Sequence, residues 1–453
     1  VNPFPYQETD IEHLVNLYKS GAQACVNGSD CGTGKTLVAI EVMKRLGNPA
    51  TLAVCPKPVI PGWTRAAKLQ GTDITAINYE ILRTGRTPFG IWRNERFAWS
   101  RAVEFLIFDE CHRAKGRDSQ TSELVRAAKR QGIRTLAMSA TLADSPMELD
   151  ALGLLLGLHE GFRPTRTLRN PHPLSFNQWA ERHGCSKPAL DLDFGFYGSE
   201  ASKQKHMANI HQELFPKRGV RTRIENLPDF PDQQVTAELY SLDNPERVNE
   251  LYAIMREALA KLSDRTADYA GGAMTDLLAA RQEVELLKVP VFVSLTQDAL
   301  SQGQTVLIFI NFRATLEELC MRLNTDCTID GSQVGISGAR RRENNRLRIQ
   351  RDESRVLIGM NEAASLGIDL QDLTGKHPRL ELISAPWSAK VVKQLLGRPR
   401  RAGAKSKSLA RFLFADGTVE NRLHAKLSSK LNCLEALCDG DLDANTLQVS
   451  NRL

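Results

Sequence analysis

Short apolar runs alternate with stretches of helical spacing through the first third of the chain. Residues 22–27 (AQACVN) read as a strand and are followed by a glycine-rich turn. Residues 36–46 then carry Leu37, Ile40, Met43 and Leu46 on one stripe, with Gly47 as a stop, which predicts a helix. Residues 51–55 (TLAVC), 73–77, 105–108 and 134–138 read as further strands. Strands separated by helices predict a parallel sheet covered on both faces. Beyond residue 157 the pattern weakens. Residues 157–234 are rich in Pro, Gly, His and aromatics, and read as an insertion or peripheral subdomain. Residues 246–288 are helical, with Leu251, Ile254, Leu259, Leu262, Leu277, Leu278 and Leu286 among their apolar positions. The alternation then resumes, with strands expected at 305–310, 356–360, 380–384 and 409–414.

This pattern predicts an α/β protein of two lobes. The expected division is a first lobe over 1–156, an insertion over 157–235, a helical linker over 236–290, and a second lobe over 291–453 that ends in helices. A chain of 453 residues is long enough for two or three domains. A net charge of +6 permits a nucleic-acid partner without requiring one. The basic residues cluster: Lys390, Lys393, Arg398, Arg400, Arg401, Lys405 and Lys407 fall in one acid-free stretch, and 340–355 is also arginine-rich. The arginines of that second stretch fit a solvated helix face equally well. Nine cysteines are scattered without a CxxC pair, which argues against zinc and for buried thiols in a reducing compartment. No run reaches the roughly 18 apolar residues of a membrane span, and the start of the chain lacks a signal-peptide core. A cytoplasmic protein is expected.

The candidate chemistry begins at Ser29-Asp30-Cys31-Gly32-Thr33-Gly34-Lys35-Thr36, between a strand and a helix. That is the context a phosphate-binding loop requires. Gly32 and Gly34 let backbone N–H groups close on phosphate oxygens, and the helix N-terminus adds partial positive charge. Lys35 is expected at the β- and γ-phosphates and the Thr36 hydroxyl on Mg²⁺, with Cys31 and Thr33 completing the cradle. Ser29 stands where the pattern more often has Gly or Ala. Further on, the run 105–108 leads into Asp109-Glu110-Cys111-His112. A strand ending in two carboxylates places both at the sheet's carboxyl edge. Asp109 is expected to hold Mg²⁺, and Glu110 to polarise the attacking water.

The order GTGKT, DECH, Ser139-Ala140-Thr141 and Gln394-Leu395-Leu396-Gly397-Arg398-Pro399-Arg400-Arg401 resembles the superfamily 2 helicases and ATPases. The finer match is to the Swi/Snf-type DNA translocases and annealing helicases. It rests on Pro5-Tyr6-Gln7, on Val54-Cys55-Pro56-Lys57 with Trp63, on Ile77-Asn78-Tyr79-Glu80, and on Ala114-Lys115-Gly116. In the second half it rests on Asp330-Gly331-Ser332, Gly367-Ile368-Asp369-Leu370 and Gly417-Thr418-Val419-Glu420. The likeness covers most of the chain apart from about 157–205. SAT in place of the branch's TGTP, and Gly397, depart from that branch toward superfamily 2 in general.

The resemblance implies two RecA-like lobes in tandem, with ATP and Mg²⁺ as cofactors and DNA as partner, RNA being the alternative. Gln7 would read adenine, with Gly367, Asp369 and Gln394 also at the nucleotide. Arg398 and Arg401 would meet the γ-phosphate when the lobes close. Ser139 and Thr141 would link the ATP site to the nucleic-acid track. His112 is either a coupling residue or a helix-start residue. Lys57, Asn78, Tyr79, Asn311, Phe312 and Ser332 are expected on the nucleic-acid backbone, which predicts weak sequence preference and strong salt dependence. Tyr79 and Phe312 fit the core equally well, and Trp63 fits packing better than stacking. The implied output is translocation on duplex DNA, with remodelling, branch migration or annealing. A strand-separating helicase, with 157–234 as its wedge, is the rival enzyme. Intact Lys35, Thr36, Asp109, Glu110 and Arg401 argue against a non-catalytic scaffold. The compact, monomeric motor this describes is of the kind a phage or mobile element encodes.

Overall fold

A computed structural model of the chain describes residues 2–84, 87–116, 119–140, 142–143, 145–161, 174–187, 194–227, 230–263, 270–365, 367–385 and 389–421. They fall into two compact units, Val1–Pro228 and Asp229–Leu453. Thr141 lies outside the described residues, as do the expected terminal helices beyond residue 421.

The strands of the first unit are β1 (Ala24–Asn27), β2 (Thr51–Cys55), β3 (Ile74–Asn78), β4 (Gly90–Arg93), β5 (Arg96–Trp99), β6 (Phe105–Asp109), β7 (Arg134–Met138), β8 (Cys185–Ser186), β9 (Gly195–Phe196) and β10 (Gly219–Val220). Six of them form one parallel sheet in the order β10-β1-β7-β6-β2-β3; β4–β5 and β8–β9 are small antiparallel pairs. Its inner strands are apolar throughout because both faces are covered. Side chains alternate between two cores. Val26, Leu52, Val54, Leu106, Phe108 and Ala137 enter one, while Cys25, Ala53, Cys55, Phe105, Ile107, Leu136 and Met138 enter the other. Helices Pro5–Lys19 and Lys35–Arg45 pack on the second face through Ile11, Leu14, Val15, Val38, Val42 and Met43.

The second unit repeats the plan. Its strands are β11 (Gln233–Tyr240), β12 (Thr305–Ile310), β13 (Thr328–Ile329), β14 (Val356–Met360), β15 (Arg379–Ile383) and β16 (Ser408–Ala415). They make a parallel sheet in the order β11-β16-β15-β12-β14-β13. Leu307, Phe309, Leu357, Ile383 and Phe412 line one core, and Val306, Ile308, Ile310, Ile358 and Leu382 the other. Helices Pro245–Ser263 and Ala270–Leu287 pack on each other. A buried cluster fastens them to this sheet: Lys288 Nζ lies 2.7 Å from Glu420 Oε2, and the Tyr252 hydroxyl donates to Glu420 Oε1 at 2.8 Å.

The segments expected as insertion and linker both contribute strands to the two sheets. The segment expected as an insertion supplies β10, which pairs with β1 at Val26 and Asn27. The strand β11, expected partly as insertion and partly as linker, pairs with β16 along its whole length. Two residues of β10 are too few to carry a periodic signal, which is why the pattern showed nothing there. Gly219 is required in β10, since a Cβ at that position would lie 1.8 Å from the Val26 carbonyl oxygen. Gly219→Ala must therefore displace β10, and is expected to cost about 2 kcal/mol or more. Urea denaturation of the full chain measures this.

Candidate functional site

Three neighbouring parallel strands set the geometry. Asn27 of β1 and Asp109 of β6 both register against Met138 of β7, so their carboxyl ends share one edge of the sheet. The chain leaving β1 is the glycine-rich loop, that leaving β6 is DECH, and that leaving β7 is Ser139-Ala140. The sheet order thus brings together three motifs, the first and last of which lie more than a hundred residues apart in sequence.

The loop turns through left-handed backbone at Gly32 (φ 87°) and Gly34 (φ 85°), and the helix starts at Lys35. Lys35 Nζ donates to the Ser29 and Asp30 carbonyls at 2.8 and 2.9 Å, so the loop's own oxygens hold the ammonium over the cradle. Thr36 stands half-buried in the helix's first turn, and Cys31 is half-buried in the loop. Gln7 is buried and donates through Nε2 to the Thr33 carbonyl at 2.7 Å, while its Oε1 accepts the Phe4 N–H at 2.9 Å. The Tyr6 hydroxyl donates to the same Thr33 oxygen at 3.0 Å.

A second brace comes from residues that sequence reasoning missed. The β1–β10 ladder runs on into the loop: Gly28 N–H donates to the Val220 carbonyl at 2.9 Å, and Asp30 N–H to that of Thr222 at 3.0 Å. The Thr222 N–H donates to Ser29 Oγ at 2.9 Å, and its hydroxyl donates to Asp10 Oδ2 at 2.7 Å. The serine that departed from the usual pattern therefore has a partner of its own. Burial raises the Asp10 carboxyl above its ordinary value, against the hydrogen bonds from Thr222 and Ser29. The Ile224 N–H donates to Asp30 Oδ2 at 3.0 Å. Asp10, Arg221, Thr222 and Ile224 carry no local motif; only the pairing of β10 reveals them.

At the acidic box, Trp63 Nε1 donates to Asp109 Oδ2 at 2.9 Å, and the Glu110 N–H donates to Asp109 Oδ1 at 3.0 Å. The Asp109 carboxyl is held above the usual carboxylate range, chiefly by burial and then by the charge of Glu110; the Trp63 hydrogen bond and Lys35 oppose the shift. Glu110 takes left-handed backbone (φ 53°), a conformation that costs a non-glycine residue about 1 kcal/mol. His112 is buried, with Nδ1 2.9 Å from Ser139 Oγ and 3.2 Å from Glu110 Oε2. Two adjacent carboxyl groups, one buried against its preference for charge, are a donor set that a hard divalent cation would relieve. Asp109 and Thr36 are the residues that would hold Mg²⁺.

Several expected contacts are corrected. Tyr79 is buried, and its hydroxyl donates to the Asp109 carbonyl at 2.8 Å, so it supports the acidic box instead of meeting nucleic acid. Asn78 is buried too, and its side chain caps the helix Tyr79–Arg83 by accepting the Ile81 N–H. Trp63 is a core residue, as packing predicted. Lys57 and Ser332 are exposed. Asn311 and Phe312 are half-buried, their backbone N–H groups fixed by the buried Glu285 carboxylate at 3.0–3.1 Å.

In the second unit the two motif arginines differ. Arg398 is buried: Nε donates to the Gln394 carbonyl at 2.8 Å, Nη1 to that of Ile368 at 3.1 Å and Nη2 to that of Ser365. It pins the Gly367-Ile368-Asp369-Leu370 segment to the helix Ala389–Leu396. Gln394 is buried in that helix, and Gly367 turns through φ 67°. Arg401 keeps 20% of its side chain exposed and pairs with Asp369 at 2.6 Å.

Residues 42–149, which include the acidic box and Ser139-Ala140, match the DEAD/DEAH box helicase family. A protein of Acanthamoeba polyphaga mimivirus named as an ATP-dependent RNA helicase is 28% identical, over 99% of this chain and 85% of its own length. The ISWI chromatin-remodelling complex ATPase of Saccharomyces cerevisiae is 22% identical over 94% of this chain and 40% of its own. SWI/SNF-related matrix-associated actin-dependent regulator of chromatin subfamily A member 1 of Homo sapiens is 22% identical over 94% and 42%. The chain thus spans about two fifths of each of the last two. Among the described residues no helix is long and apolar enough to cross a membrane.

Because the Trp63 N–H favours the ionised Asp109, Trp63→Phe raises that carboxyl further. The acid limb of the pH profile of ATP turnover is expected to move to higher pH, with the alkaline limb unchanged. A steady-state pH series measures both.

Proposed function

Since the chain carries a DEAD/DEAH box helicase domain and is an ATP-hydrolysing enzyme of superfamily 2, we propose that it uses that hydrolysis to translocate on duplex DNA. The observation that supports this most is the contact of His112 with both Glu110 and Ser139. A residue shared by the hydrolytic acid and the end of β7 gives strand binding a short route to the attacking water.

In this reading Gly32, Gly34 and the start of the helix Lys35–Arg45 receive the triphosphate, and the Lys35 ammonium passes from the Ser29 and Asp30 carbonyls to the γ-phosphate. Bound Mg²⁺, held by Thr36 and Asp109, would screen the phosphate charge. Glu110 orients the water and accepts its proton. Gln7 recognises the base. Asp369 orients Arg401, the more exposed of the two motif arginines, which we assign to the γ-phosphate. Lys57 and Ser332 contact the strand's phosphates, so affinity falls with salt and carries little sequence information.

The two relatives named for chromatin support duplex DNA as the track, and we infer remodelling, branch migration or annealing as the output. The mimivirus relative favours a second reading, with RNA as the track. ATP turnover with duplex DNA, single-stranded DNA and RNA, alongside triplex displacement, decides between them. Duplex DNA is expected to stimulate most and to support displacement; stimulation by RNA alone reverses the reading. Glu110→Gln is expected to lower stimulated turnover about a hundredfold or more while ATP still binds. Full turnover in that variant removes the catalytic assignment. Arg401→Ala is expected to lower kcat with little change in ATP affinity, as single-turnover rates and equilibrium binding report.

A further inference from the structure

Asp30 is an acid inside a loop that has to receive a highly anionic ligand. Its side chain is only 8% exposed. There its repulsion of a phosphate is poorly screened, since a buried charge acts through a lower effective dielectric than one in water. Its Oδ2 accepts the Ile224 N–H at 3.0 Å. Its Oδ1 lies 3.5 Å from Arg221 Nη2, beyond hydrogen-bond range but well within that of an ion pair.

Arg221 does more than face Asp30. It follows β10, and its side chain is 13% exposed. Nη1 donates to the Gly28 carbonyl, at the start of the phosphate loop, and to the Ala140 carbonyl at 3.2 Å, at the end of β7. One planar guanidinium therefore touches both segments that a nucleic-acid-stimulated ATPase has to connect. The neighbouring arginines have other work. Arg218 donates to the carbonyls of Leu156, Gly157 and Glu213, and Arg223 pairs with Glu225 in a partly exposed position. Arg221 Nε is buried without a hydrogen bond, as is Asp30 Oδ1. The pair therefore keeps unused donor and acceptor capacity.

We propose that Arg221 is a positioning residue for ATP hydrolysis: it neutralises Asp30 beneath the phosphate cradle and ties that cradle to Ala140 at the end of β7. The proposal rests on the reading of Gly32–Thr36 as the loop that receives the phosphates of ATP. It assigns Arg221 no contact with ATP. Two separable effects follow. The charge of Arg221 sets nucleotide affinity through Asp30, and its forked geometry transmits the state of the Ser139-Ala140 segment to the loop. A lysine supplies the first but cannot reach Gly28, Asp30 and Ala140 together.

The test uses the full chain with Arg221→Ala, Arg221→Lys, Asp30→Asn, and Arg221→Ala combined with Asp30→Asn; Lys35→Ala serves as the reference for a lost phosphate grip. Affinity for a fluorescent ATP analogue, the ratio of turnover with and without nucleic acid, and thermal melting are read for each. Arg221→Ala is expected to weaken nucleotide binding about tenfold or more, and adding Asp30→Asn to restore it to within about threefold of Asp30→Asn alone. Arg221→Lys is expected to keep affinity within about threefold of wild type and to lose most of the nucleic-acid stimulation. The rescue by Asp30→Asn is what a merely structural arginine would not produce. Wild-type affinity in Arg221→Ala overturns the proposal, and so does a deficit that Asp30→Asn leaves in place. Should Arg221→Ala fail to fold, Arg221→Lys decides alone, and unchanged stimulation in it overturns the coupling. If the wild-type chain does not bind ATP, or Lys35→Ala binds it as wild type does, the phosphate-loop reading itself falls.

Discussion

A backbone that offers its amides to a phosphate cannot also close them into a regular ladder, so its shape has to be held from outside. In this chain the loop between β1 and the helix Lys35–Arg45 is held on three sides. The ladder from β10 fixes the amides of Gly28 and Asp30. The helix Pro5–Lys19 fixes the Thr33 carbonyl through Gln7 and Tyr6. The loop's own lysine covers the carbonyls of Ser29 and Asp30. Each brace answers the same requirement, that buried polar backbone find a partner. Glycine takes the left-handed turns at positions 32 and 34 without a Cβ penalty.

The sheet order gives that loop its chemical company. With β7 between β1 and β6, the residues after all three strands emerge side by side. A buried histidine, two carboxyl groups and a serine then meet without a long loop to carry them. The second unit uses charge differently. Glu381 lies fully buried in β15, its carboxyl pushed well above the ordinary range by burial, with Arg398 and the Gln233 amide opposing the shift. Gln233 Nε2 reaches both Glu381 at 2.7 Å and the Leu396 carbonyl at 2.9 Å. The segment 394–401 is therefore built on a polar core. Within it Arg398 is buried against backbone carbonyls, while Arg401 stays partly exposed beside Asp369.

The inner strands of both sheets were legible because they are buried on both faces. Such runs stay apolar without interruption, and Thr51–Cys55, Arg134–Met138, Thr305–Ile310 and Val356–Met360 begin and end where their composition does. The phosphate loop and acidic box were legible because each needs a particular residue type at the end of a strand. Asn78 and Tyr79 show the limit. Their identity suits either a phosphate contact or a cap and a core ring, and only the packing under Asp109 decides. The brace from 219–224 was illegible for a different reason. It is made mostly of backbone groups, which leave no mark on side-chain composition, and it joins positions nearly two hundred residues apart.

Gln7 carries a consequence for nucleotide choice. Its carboxamide is the group we assign to the base, yet one of its hydrogens already lies on the Thr33 carbonyl, and its nitrogen fills the space that a Cβ at position 34 would need. Under that assignment, base recognition and the shape of the phosphate loop would depend on the same side chain. A substitution at position 7 that altered base preference would then also remove one of the two donors on the Thr33 carbonyl, leaving Tyr6 to hold it.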